Sequence, residues 1–149
     1  MNTQTMQNVF AHLSGQDDNL GDSVLRVAYL EALRGIGRHV HVFMGAQTSD
    51  YRAVFPLGTD ITYYDQRSQW LAAEHASTRP VHAYNAGEAN PRPGVYPVPR
   101  RAAECARVLA AGGAVIVAGI GLKTLTSVHD VAFDAAFRNA SLMSWRDQG

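Results

Sequence analysis

Three carboxylates, two carboxamides and two glycines crowd residues 15–22, Gly-Gln-Asp-Asp-Asn-Leu-Gly-Asp. Asp17, Asp18, Asn19 and Asp22 together suit hydrogen bonding to hydroxyl groups of a ligand. Gly15 and Gly21 permit positive φ and a close backbone approach. Asp22 and Ser23 are also placed to accept hydrogen bonds from the N–H groups that open a helix. A plainer reading makes Asp17 and Asp18 solvated loop residues and Asp22 a helix cap.

A second stretch, Gly119-Ile120-Gly121-Leu122-Lys123-Thr124, invites a phosphate-loop reading. It departs from G-x-x-x-x-G-K-[ST], because Leu122 separates Gly121 from Lys123, and position 124 is not the third glycine of G-x-G-x-x-G. What remains is a tight strand-to-helix turn with weak anion affinity at a helix N-terminus. His39 and His41 share one face of a strand but have no third ligand beside them, so they read as a surface or sheet-face pair. His12, His75, His82 and His129 have no metal-ligand spacing either. Cys105 falls in a helix pattern and reads as a small core residue. Arg146-Asp147 follows the last strand pattern, where a guanidinium is able to hold a carboxylate or phosphate in bidentate fashion. Pairing with Asp147 or simple solvation is the alternative.

The elements around these residues alternate. Strand patterns cover 9–13, 39–44, 61–64, 81–84, 114–118 and 141–145, and helix patterns cover 23–36, 65–76, 99–111 and 125–137. In the first helix Leu25, Ala28, Tyr29, Ala32, Leu33 and Ile36 form the expected apolar face, with Arg26, Glu31 and Arg34 outward. Asp65 is the expected cap of the second helix. The 51–55 segment is short and stopped by Pro56. Residues 85–97 and 118–123 read as loops. The unbroken apolar run 114–118 predicts a strand near the centre of a parallel sheet, buried on both faces. The alternation predicts an α/β fold, a three-layer Rossmann-like domain with a mostly parallel sheet. Its strand-end loops place Asp22, Glu88, Gly119, Gly121 and Arg146 along one crevice.

The bulk composition fits a single globular domain. The chain has 149 residues, 46% hydrophobic, with 13 Lys plus Arg against 13 Asp plus Glu. Zero net charge argues against a nucleic-acid or membrane-surface role driven by bulk charge. No apolar run approaches the roughly 20 residues needed to span a bilayer. The amino terminus lacks a signal-peptide pattern. The lone cysteine suits a reducing compartment, so a cytoplasmic location is expected.

Several of these segments together resemble the polysaccharide pyruvyl transferases. Asn19-Leu20-Gly21-Asp22 resembles that family's N-x-G-D signature after a first strand. Residues 83–88, Ala-Tyr-Asn-Ala-Gly-Glu, resemble its strand with a glycine-bearing loop. Val115 to Gly121 looks like its apolar strand ending in G-x-G, and Ser144-Trp145-Arg146-Asp147 resembles its S-x-R-D segment. The matches keep the family's order over nearly the whole chain. The resemblance implies transfer of pyruvate from phosphoenolpyruvate to a sugar of a cell-surface polysaccharide, forming a cyclic ketal and releasing phosphate. It implies one half of a two-domain, glycosyltransferase-like (GT-B-like) architecture, and no cofactor. Asp22 and Arg146 carry over as catalytic candidates, with Asn19, Gly21, Gly87, Glu88, Gly119 and Gly121 as substrate-binding candidates. The expected partners are phosphoenolpyruvate and a saccharide acceptor. The family's second domain has no counterpart here, so a further domain, a partner chain or a homo-oligomer is expected to complete the site, and the chain alone is expected to be inactive. The competing readings are a non-catalytic saccharide- or anion-binding domain and a nucleotide-binding domain.

Overall fold

The computed structural model describes residues 7–15, 19–84, 87–89, 98–122 and 138–145. Their order is β1 (Asn8–His12), α1 (Leu20–Arg34), β2 (His39–Phe43), α2 (Ser49–Ala53), β3 (Ile61–Tyr64), α3 (Arg67–Ala76), β4 (Val81–Tyr84), β5 (Gly87–Ala89), α4 (Val98–Ala110), β6 (Ala114–Leu122) and β7 (Leu142–Trp145). Every strand pairing is parallel. Val81 pairs with Ala114 and Gly87 with Ile120, an unchanged offset, so β4 and β5 occupy one position beside β6. The sheet then reads β3-β2-β1-(β4/β5)-β6-β7. Counted by position this is the 3-2-1-4-5-6 order of dinucleotide-binding folds. The fold is α/β and Rossmann-like, with helices on both faces of an all-parallel sheet.

The period of two along each strand divides the core in two. Val9, Ala11, Leu13, Val40, Val42, Met44, Val81 and Ala83 face α1 and α2, where Leu30, Leu33, Tyr51 and Phe55 meet them. Each such buried valine or leucine side chain stabilises the fold by about 2 kcal/mol. The opposite side chains, Phe10, His41, His82 and Tyr84, lie under α3 and α4 and are aromatic or polar. Trp70 of α3 packs against Phe10, Phe43 and His82. Cys105 and Val108 of α4 pack with Tyr84, Val115 and Val117. Cys105 is thus the small core residue its pattern suggests. No described helix is long and apolar enough to cross a membrane.

Several local expectations are corrected. The 114–118 run does not lie at the sheet centre. β1 and β4 do, and β6 has only the short β7 beyond it among the described strands. All four residues of β4 are buried, whereas β6 alternates, with Val115 and Val117 buried and Ile116 half-buried. Helix α1 is rotated from its expected face. It buries Ser23, Arg26, Leu30 and Leu33 and leaves Ile36 55% exposed. Asp65 does not cap α3. The cap position is Gln66, with no side-chain bond, and Asp65 instead pairs with Arg52. Residues 49–53 form a helical turn capped by the Thr48 side chain, which accepts from the Tyr51 N–H. Within the expected loops 85–97 and 118–123, Gly87–Ala89 and the end of β6 are strand. The helix expected over 125–137 lies outside the described residues.

Candidate functional site

The direction of strand order reverses between β1 and β4, since β2 lies on one side of β1 and β4 on the other. At such a reversal the loops after the two strands diverge to opposite faces of the sheet and leave a crevice at the carboxyl edge. Leu13, Ser14 and Gly15 lead from β1 toward this crevice. The loop is tightly held. Leu13 N–H donates to Phe43 O at 3.0 Å, and the Tyr51 hydroxyl donates to Leu13 O at 3.0 Å. A Cβ on Gly15 would stand 2.5 Å from the Tyr51 hydroxyl oxygen, so only glycine lets the loop pass over that ring. Ser14 Oγ and His12 Nδ1 lie 3.3 Å apart at the same strand end.

Helix α1 starts at the crevice. Its cap is Asn19, whose Oδ1 accepts from the Asp22 N–H at 3.2 Å, while Ser23 N–H reaches Asn19 O at 3.2 Å. Asn-x-x-Asp therefore works as a capping motif, and Asp22 sits in the first turn rather than at the cap. A Cβ on Gly21 would approach the capping oxygen to 3.2 Å, so the small residue leaves that bond undisturbed. The Asp22 carboxylate keeps 26% of its side-chain surface and lies 3.7 Å from the guanidinium of Arg26. Side chains on a helix lean toward its amino terminus, so Arg26, one turn along, reaches back to the level of Asp22. A carboxylate at a helix amino terminus is favoured by the helix dipole. The arrangement leaves a carboxylate acceptor partly open to solvent at the start of the helix.

The far wall of the crevice is taller than the near one. β1 ends at His12, whereas β6 continues from Val117, beside the end of β4, to Leu122. That is an overhang of roughly 16 Å at the usual strand rise. Gly87 pairs with Ile120 and Glu88 with Gly121, so these expected loop residues belong to a ladder. Gly119 has a φ of 65°, the left-handed region, and its N–H donates to Ser144 Oγ at 3.0 Å. Between Val117 and Ile120 the register with β7 slips, so Gly119 marks a β-bulge, a feature common next to functional sites. Of the expected site residues, Asn19, Gly21 and Asp22 stand together in the opening turn of α1. Gly87, Glu88, Gly119 and Gly121 line one wall by their backbone. Arg146 lies outside the described residues, as do Asp17 and Asp18.

The sequence reading missed the polar layer under α3 and α4. Glu74 is fully buried, with Oε1 2.5 Å from His82 Nδ1 and Oε2 paired to Arg107 of α4. Arg67 pairs with Glu104, a second tie between the two helices. His41 stacks on Phe10 at 4.5 Å and its Nδ1 lies 2.8 Å from the Tyr64 hydroxyl. Burial, with the adjacent His39, lowers its pKa to about 4. Burial raises Tyr64 and pushes Tyr63 up to about 12. His39 and His41 are the sheet-face pair their spacing suggests, with ring centroids 4.7 Å apart. The available signal was polar residues alternating with valine along β2 and β4, which marks one face as non-aliphatic. Among the described residues no group of three or more histidine, cysteine or acidic side chains stands close enough to hold a metal ion. No family model, no curated protein and no solved structure matches this chain.

Proposed function

We propose that this chain is a saccharide-binding Rossmann-like domain that serves as the acceptor side of a pyruvyl transferase. The reaction moves pyruvate from phosphoenolpyruvate to a sugar of a cell-surface polysaccharide in the cytoplasm. The observation that carries this reading is the seating of Asp22 in the Asn19-capped first turn of α1, at the reversal of strand order. The Asp22 carboxylate takes the proton of a sugar hydroxyl as the hydroxyl oxygen attacks the donor carbon and phosphate leaves. The backbone of the tall β5–β6 wall offers further polar groups to a ring of hydroxyls. Arg146 supplies the cation for the donor's anionic groups. A second domain or partner chain closes the crevice and excludes water.

The nucleotide alternative has the strand order in its favour. Against it, Asp22 puts a carboxylate in the first turn of α1, where a pyrophosphate would rest, and like charges repel there. Residues 119–122 also belong to a strand rather than a phosphate turn. The test is nuclear magnetic resonance titration of the chain with galactose-, mannose- and N-acetylmannosamine-containing oligosaccharides, phosphoenolpyruvate and nucleotides. The reading requires saccharide-dependent shifts of the 19–22 amides that Asp22→Asn weakens. Tight nucleotide binding with no saccharide response would replace it. Acceptor-dependent phosphate release by the chain alone would show that the crevice needs no second domain.

A further inference from the structure

At the opposite, amino-terminal edge of the sheet lies a cavity of about 370 Å³, lined by Gln7, Asn8, Arg38, Ser77, Thr78 and Arg79 together with Ala76. Among the described residues its polar groups are donors of hydrogen bonds or neutral, and no carboxylate lines it. Arg26, Arg34, Arg52, Arg67 and Arg107 each meet a carboxylate. Arg38 and Arg79 meet none among the described residues, and both line this one cavity.

Both arginines are anchored through other atoms. Arg38 N–H donates to Gln7 O at 3.0 Å, which ties the start of β2 to the start of β1. Arg79 has a φ of 53°, a left-handed conformation that a non-glycine residue holds only at a cost. Its Nε donates to Gly112 O at 3.2 Å, and its Cγ lies 3.6 Å from where a Gly112 Cβ would be. The stem is thus laid against the α4–β6 turn, and the terminal guanidinium nitrogens remain for the cavity. Asn8 Nδ2 and Ser77 Oγ stand 3.5 Å apart across the connection between β1 and the end of α3.

We propose that this cavity is a binding site for a phosphate group, carried by free phosphate or by a small phosphate monoester. Two guanidiniums with adjacent amide and hydroxyl donors match the three oxygens and double charge of phosphate. The carbonyl end of α3 forms part of the wall and opposes an anion, so binding needs both arginines. The site is separate from the carboxyl-edge crevice and stands whether or not that crevice binds saccharide.

The test is amide-shift titration of the intact chain with inorganic phosphate, ribose 5-phosphate and, at matched ionic strength, chloride. Saturable shifts at Asn8, Arg38 and the 77–79 amides are expected with phosphate or the ester and not with chloride. Tighter binding of the ester identifies a monoester ligand, and equal binding identifies free phosphate. Arg38→Ala and Arg79→Gly are each expected to weaken binding by about tenfold or more, as loss of a charge-assisted contact does. Glycine accepts the positive φ at position 79, so Arg79→Gly should unfold no sooner than the parent chain, and Asp22→Asn should bind phosphate normally. Absence of saturable shifts, equal response to chloride, or undiminished affinity in both variants would overturn the assignment.

Discussion

The two faces of the sheet are built by different physics. Under α1 and α2 the core is aliphatic, with Val9, Val40, Val42, Leu30 and Leu33 joined by contacts that have shape but little direction. Under α3 and α4 the sheet presents Phe10, His41, His82 and Tyr84, and the helices answer with Trp70, Glu74 and Arg107. Glu74 pairs there with His82 and Arg107, and His41 with the Tyr64 hydroxyl. Trp70 Nε1 even donates to His41 O of the strand backbone at 2.9 Å. The aliphatic face needs the right volume. The polar face needs the right atoms, because a buried group that loses its partner bears the full cost of desolvation.

The largest expected effect is on the polar face. Glu74→Ala should destabilise the chain by about 3 kcal/mol, since it strips buried His82 and half-buried Arg107 of their shared carboxylate. Glu74→Met, which keeps the volume, should cost nearly as much, and urea unfolding at neutral pH measures both. Equal stability of the methionine variant and the parent would mean that the polar face also counts only volume. On the aliphatic face Leu30→Ala should cost about 3 kcal/mol, and Leu30→Met less than about 1.5 kcal/mol. A smaller effect distinguishes the faces by pH. The folded-state pKa of His41 is depressed to about 4, below its ordinary value of 6.5, so the unfolded chain binds the extra proton first. The stability that His41 contributes is present above about pH 6.5 and is lost as pH falls toward 4. Its half-exposed ring reduces the full linkage to about 1 kcal/mol. Unfolding midpoints between pH 7 and 4 should fall less in His41→Phe than in the parent. The smallest is at the crevice, where Asn19→Ala should cost about 1 kcal/mol by removing the cap of α1. Thermal melts read that loss.

Much of this architecture was legible. The strands were marked by runs of β-branched and aromatic residues and the helices by their repeat, and the alternation required parallel pairing. What misled was neighbourhood. The apolarity of residues 114–118 reports how well the two faces are covered, not how many strands flank them, and β6 proved to lie next to β7 rather than at the centre. Helix α1 was turned because Ala28 and Ala32 fit either face, while Arg26 hides its stem and sends its charge back to Asp22. The crevice was found in part. Asn19-Leu20-Gly21-Asp22 announced a helix start beside a strand end, and the structure puts it there. The ladder status of Gly87, Glu88 and Gly121 was hidden, because glycine-rich sequence reads as loop while pairing is decided by a partner strand far along the chain. Glu74, His82 and Arg107 escaped for the same reason. They are widely separated in sequence, and no local spacing joins them.

The central place of β1 has a consequence for synthesis. It pairs with β2 on one side and with β4 on the other, Val9 beside both Val40 and Val81. As the chain leaves the ribosome, β1, β2 and β3 are complete before β4 exists. The nascent sheet ends at β1, and a strand destined for the interior is an open edge on the side that β4 will fill. Such an edge templates pairing with any extended chain nearby. Until residues 81–84 emerge, that place stays open to extended segments of neighbouring nascent copies, and β4 must then claim it.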